Sequence, residues 1–236
     1  MKKILCAVAI SLMSLAVTAQ QKKVAVVTFY ADKQINLDDV GMGSATVLAD
    51  LMDDPTFNLQ PLVDNYHDKF FNDYAKKFPF DIVPEAEVTG NTEYQNFQPE
   101  YSSYGAGRYV VPEGYIAVNH NYGKKNEEGL LKIFDDADGV MFVFINFEMN
   151  KGFGIGGTAT TKMRAYTNIT LYNKSGKRVF TINEGANSKK TGVMVGGVPV
   201  MKPEKLIPMC ESALDELMED LDKRIDKIIK KSAKKL

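Results

Sequence analysis

Residues 138–150, DGVMFVFINFEMN, constrain this chain more than any other stretch. From Val140 to Ile145 the run is unbroken apolar, rich in aromatic and β-branched side chains, and it is opened by Asp-Gly and closed by Asn-Lys-Gly. A run this short cannot span a bilayer, which takes about 20 apolar residues. It reads instead as a strand buried on both faces, and such a strand must lie inside a sheet with further layers packed against it. The next stretch supplies a neighbour. From Thr160 to Tyr172 the chain alternates, with Met163, Ala165, Thr167, Ile169 and Leu171 on one face and Lys162, Arg164, Tyr166, Asn168 and Thr170 on the other, as in a strand with one wet face. Asn173 to Gly176 then form a hairpin turn into 177–187, where Phe180 and Ile182 continue the inward set.

The amino terminus has a different character. Met1-Lys2-Lys3 precedes a mostly apolar run from Ile4 to Val17, followed by Thr18-Ala19-Gln20. A basic start, an apolar core and small residues at Val17 and Ala19 predict a secretory signal peptide over 1–19, cut after Ala19. Export implies a periplasmic or secreted protein. Loss of Lys2 and Lys3 leaves a net charge of about −3, so nucleic acid is not an expected partner. Of the two cysteines only Cys210 remains, which excludes an internal disulfide. The mature chain, 20–236, must therefore be held by a core, and its 44% hydrophobic content suffices for a single α/β domain.

Residues 23–30, KVAVVTFY, are a second continuous β-type run, and Ala45, Leu48, Leu51 and Met52 after it have helical spacing. Asp64 is placed to cap a helix reaching Phe78, along which Tyr66, Phe70, Tyr74 and Phe78 repeat every fourth residue as core packing. Residues 80–83 predict a short strand ended by Pro84. A tyrosine-rich excursion at about 91–125 follows, too long for an ordinary connection. Its tyrosines either pin it to the domain or form a platform for a glycan or peptide, with Tyr101, Tyr104, Tyr109 and Tyr115 as the candidates. A short helix over 126–136 feeds the central strand. From Pro203 onward, Leu206, Cys210, Ala213, Leu214, Leu217, Leu221, Ile225 and Ile228 predict one long amphipathic helix lying on the sheet.

No stretch carries a reaction signature. Gly152, Gly154 and Gly157 satisfy G-x-G-x-x-G, yet the segment after them alternates as a strand, whereas a dinucleotide site needs a helix N-terminus there. Aligning Gly139 with the sixth position of a calcium loop puts Phe134 and Ile145 at ligand positions. His67, His120 and Cys210 do not make a zinc set. The expectation is a non-enzymatic protein without cofactor or metal.

Three segments together, KVAVVTF at 23–29, ADGVMFV at 137–143 and ITLYNKSGKRVF at 169–180, followed by a long terminal helix, resemble the envelope proteins related to the curli-secretion channel subunit and to the amino-terminal domain of TolB. The resemblance implies an α/β domain of bacterial envelope proteins that act through protein contacts in secretion, assembly or activation. Independently of it, helical crossovers make the strands at Val24, Ile82 and Val140 parallel, and hairpins make the next two antiparallel. The predicted architecture is a mixed sheet of about five strands with packed helices.

That topology brings the loops after the first and central strands, 31–40 and 151–159, to one end of the sheet, and it brings 188–201 beside them. Phe153, Ile155, Met194, Val195 and Val198 then share one place on two glycine-rich segments. They are the expected contact residues for a protein partner, another copy of the chain or a membrane surface.

Overall fold

The computed structural model describes residues 22–41, 51, 53–100, 107–119 and 124–232. The predicted signal peptide, most of the first helix after 41, Tyr101, Tyr104 and His120 lie outside these. β1 (Lys23–Asp32) and β4 (Gly139–Ile155) are parallel neighbours at the centre of the fold. The sheet runs β2-β1-β4-β5-β6-β7, where β2 is Asp81–Ile82, β5 Thr158–Asn173, β6 Arg178–Val195 and β7 Val198–Pro199. β3 (Tyr109–Val110) pairs antiparallel with the end of β1. The expected parallel trio followed by an antiparallel meander is present. Two two-residue strands, β3 and β7, raise the count from five to seven.

Layers form on both faces of β1 and β4 because both faces are apolar. Met141, Val143, Ile145, Phe147 and Met149 face a layer containing α1 (Gln60–Lys69) and α5 (Pro203–Ser232). Val140 and Phe142 face the opposite layer, built from α2 (Glu85–Thr89), α3 (Thr92–Gln95) and α4 (Lys125–Ile133) through Val88, Tyr94, Leu130 and Phe134. A bulge in β1 between Val26 and Thr28 switches parity, so that Val24, Val26, Phe29 and Ala31 all point to the first layer. Thr28 is left fully buried, and it is satisfied: its Oγ1 donates to the Ile116 carbonyl at 2.7 Å and accepts from the Val118 amide at 3.0 Å.

Helix α1 starts earlier than the sequence suggests. Asn58, not Asp64, accepts the Gln60 amide through Oδ1, Pro61 stands in the first turn, and Asp64 receives the Gln60 side chain instead. The helix then continues as a π-turn (Phe70–Tyr74) and a 3-10 turn (Ala75–Lys77), which keeps Tyr66, Phe70, Tyr74 and Phe78 buried together. In α5, Leu206, Cys210, Ala213, Leu214, Leu217, Leu221 and Ile225 are all buried, so this helix covers one face of β5 and β6 as expected. Burial raises the Cys210 thiol far above its ordinary pKa and leaves it an inert core group. Among the described residues no helix lies over the other face of β5 and β6, and along most of its length that face is polar: Asn168 donates to Asn183, and the Arg164 guanidinium lies 4.6 Å over the Tyr166 ring.

Candidate functional site

The segments 151–159 and 188–201, expected as flexible loops, are the ends of long strands. β4 and β5 meet at a two-residue turn, Gly156-Gly157, and β6 and β7 at another, Gly196-Gly197. All four glycines have positive φ, between 60° and 85°, the geometry of the tight hairpin turn whose twist matches its strands. The Gly197 amide donates to the Gly157 carbonyl at 2.8 Å, so the two tips lie side by side as one surface. Loop 33–41 runs along the base of this projection. Asn36 exchanges backbone hydrogen bonds with Phe147 and Met149, and Asp39 Oδ2 accepts from the Lys151 amide at 2.7 Å.

A second bulge decides what the tip displays. Lys151 pairs with Thr161 and Gly154 with Ala159, so one extra residue stands in β4 between them. Before it, odd positions such as Met149 point to α5; after it, Gly154 opposes the buried Ala159 and the odd positions Phe153 and Ile155 turn to the uncovered face. Only glycine fits at 154, because a Cβ would stand 2.4 Å from the Ala159 Cβ and from the Thr158 carbonyl. On β6 and β7, Val193 opposes Thr160 and Val195 opposes Val198 on that same face. The result is a patch in which Phe153 is 81% exposed, Ile155 77%, Val195 61%, Val198 53% and Val193 51%. These are the exposed large hydrophobic side chains among the described residues.

Met194 does not belong to the patch. It pairs with Ala159 and Pro199 on the α5 side, is 2% exposed, and joins the core with Leu206 and Met209. Alternation along a strand excludes it from the face of its neighbours Val193 and Val195. Val193, which the sequence reading passes over, takes its place. The signal was available, since Ile182 and Met194 have the same parity and the inward set carries through. Around the patch, Lys162, Lys202 and Lys205 are exposed and make no ion pair among the described residues, with Glu204 the acidic residue in the same segments; Lys151, opposite the buried Thr161, lies on the α5 side, where Asp38 and Asp39 of loop 33–41 flank it. Lys189 and Lys190 are engaged elsewhere, by Glu216 at 2.5 Å and Glu211 at 3.6 Å on α5.

The tyrosine platform is not assembled from the residues described. Tyr115 is buried against Phe29 and His67, with ring centroids at 6.3 and 5.9 Å, while Tyr109 is half-buried and packs edge-on against Tyr30 at 5.0 Å. The two serve different attachments. Tyr94, whose hydroxyl donates to the Val27 carbonyl and accepts from the Ile116 amide, pins the excursion to β1 as well. Arg108 does the same from outside, gripping Asp32 through Nε at 3.0 Å and Nη2 at 2.6 Å. His67 Nε2 is 2.5 Å from Glu85 Oε1 and the ring is enclosed by aromatic side chains. An open groove of about 390 Å³ runs beside β2, lined by Phe71, Phe78, Phe80, Ile82, Pro84 and Glu85 among others. Among the described residues no three His, Cys, Asp or Glu side chains are grouped to hold a metal. No helix among them is long and apolar enough to cross a membrane.

The chain matches no protein-family description and no curated protein. Three solved bacterial structures align over most of its length. Hypothetical protein CT253 from Chlamydia trachomatis is 10% identical, over 89% of this chain and 98% of that one, with a TM-score of 0.39. Lipoprotein GNA1162 from Neisseria meningitidis is 13% identical, over 88% and 99%, at 0.34. A structure described as a homolog of a neuraminyllactose-binding hemagglutinin from Helicobacter pylori is 9% identical, over 91% of each chain, at 0.37. At these scores the likeness assigns neither a family nor an activity.

Proposed function

We propose that the chain is an exported, non-catalytic component of the bacterial cell envelope that works by contact, and that its working surface is the apolar face of the paired hairpin tips. One observation carries this: Phe153, Ile155, Val193, Val195 and Val198 stand exposed together on one face of a hydrogen-bonded projection. A domain that buries fifty-odd apolar side chains elsewhere has no packing reason to display five here, and contiguous exposed apolar side chains mark surfaces meant to be covered. The bulge at Lys151–Gly154 supports the same reading, since bulges that re-aim side chains are designed features. The predicted leader and the resemblance to envelope proteins of the curli-secretion and TolB kind support an envelope location for the contact.

The test is cell fractionation of the native host with the wild type and with a Phe153→Ser/Val195→Ser variant. Wild-type protein is expected in the envelope fraction after lysis. The variant, folded to the same thermal midpoint, is expected to be released into the soluble fraction. Equal retention of both would remove the tip from consideration as the working surface.

A further inference from the structure

We infer that the hairpin tip docks on a lipid bilayer carrying anionic headgroups, with Phe153, Ile155, Val193, Val195 and Val198 dipping into the interface and Lys162, Lys202 and Lys205 resting on the headgroups. This rests on the contact reading above and names what is contacted.

Charge decides among the possible occupants. The chain as a whole is slightly acidic, with a net charge of −1, yet the tip segments 152–162 and 191–205 carry Lys162, Lys202 and Lys205 without ion-pair partners against Glu204, while at the base Lys151 on the α5 side lies beside Asp38 and Asp39. Cations beside an apolar patch complement an anionic interface, where each lysine near the surface strengthens binding about fivefold. A second copy of the chain docked face to face would bring the same lysines together. The size of the patch points the same way. The five side chains lie within two residues along each strand and across four adjacent strands, so the footprint is about 7 by 15 Å. A stable dimer buries about 800 Å² per partner. A small apolar footprint suffices for an interface where the side chains enter lipid, because burial of a few large side chains adds to the electrostatic term.

The backbone limits the depth. Among the described residues, the outer edge of β4 beyond its contact with loop 33–41, and the short β7 on the opposite side, leave N–H and C=O groups without strand partners. In hydrocarbon these would be unsatisfied, so the tip stays at headgroup depth. Thr158, Thr160 and Thr191, interleaved with the apolar residues on the same face, suit that wet boundary.

The chain contains no tryptophan, which gives a clean reporter. Phe153→Trp in the mature protein is mixed with vesicles of phosphatidylglycerol and phosphatidylethanolamine, or of phosphatidylcholine alone, with Lys177→Trp at the opposite end of the sheet as control. The expected result is a blue shift at position 153 with the anionic vesicles, none at 177, and binding at least tenfold weaker to phosphatidylcholine. Co-sedimentation should fall at least tenfold for Phe153→Ser/Val195→Ser. Replacing Lys162, Lys202 and Lys205 by glutamine should lower it on the order of a hundredfold, and salt should weaken the wild type in the same direction. No shift with anionic vesicles, or binding that ignores these substitutions, overturns the proposal. A concentration-dependent dimer abolished by Phe153→Ser/Val195→Ser, seen by sedimentation, also overturns it in favour of self-association. If vesicles are ignored while envelope retention still depends on Phe153 and Val195, the lipid assignment fails and the contact reading stands; if retention does not depend on them, both fail.

Discussion

The Gly197 amide and the Gly157 carbonyl, 2.8 Å apart, join two hairpin turns into one surface, although the residues are forty positions apart in sequence. Because Gly157 has φ of 85°, a β-branched residue there meets the left-handed penalty of about 1–2 kcal/mol. Gly157→Val should therefore loosen the tip while leaving the core intact. Amide hydrogen exchange is the measurement: Gly197 and its neighbours should lose protection, whereas β1 and the first half of β4 keep theirs.

The centre of the fold gives a larger effect. Phe142 is fully buried between β1, α4 and Tyr172, whose ring centroid lies 5.7 Å away edge-on. Phe142→Ala should cost about 3–5 kcal/mol through lost transfer energy and the cavity left behind. Denaturant unfolding with an unchanged slope and a much lower midpoint is the expected result.

What could be read directly from the residues was whatever kept one period over a long run. The doubly buried strand at 139–145, the Asn173–Gly176 turn and the α5 stripe from Leu206 to Ile225 are each continuous patterns, and they appear in the fold as expected. The tip was only half legible. Topology brings 151–159 and 188–201 to one end, but their glycines suggest flexible loops, whereas Gly-Gly between β-type residues is also the signal of a two-residue hairpin. The difference matters for orientation: in a loop Met194 and Val195 are equivalent, and in a strand they face opposite ways. The bulge that exposes Phe153 has no local signature beyond the small residues Gly152 and Gly154. The tyrosines mislead for another reason: abundance in an irregular segment does not distinguish a side chain that pins the segment, as Tyr94 and Tyr115 do, from one that awaits a ligand.

Adjacent residues test the face assignment. Met194 is in the core with Leu206 and Met209, and Val195 is on the open face. Met194→Ser should destabilise by about 2–5 kcal/mol, as large-to-small core substitutions do. Val195→Ser should stay within about 0.5 kcal/mol of the wild type. Thermal unfolding of the two variants side by side checks this, and similar effects at both positions would contradict the register of β6.

The remaining prediction concerns pH. Glu127 on α4 is 5% exposed, its Oε2 has no hydrogen-bond partner, and its carboxyl is pushed above the ordinary value of 4.5, first by burial and then by the neighbouring Glu128, against the opposing effect of the Tyr172 hydroxyl. A raised folded-state pKa means that the native protein holds the proton where the unfolded chain has released it. The unfolded state then binds fewer protons, and the slope of unfolding free energy with pH is negative across that window. The contribution of Glu127 is therefore fully favourable below about pH 4.5 and is lost as pH rises through the folded-state value. Glutamine keeps the shape and cannot ionise. Glu127→Gln should match the wild-type midpoint at about pH 4 and exceed it at about pH 8. Thermal melts across that range measure the difference between the two proteins, which cancels every other titrating group. A difference that is constant with pH would show that Glu127 is ionised alike in the folded and unfolded chains.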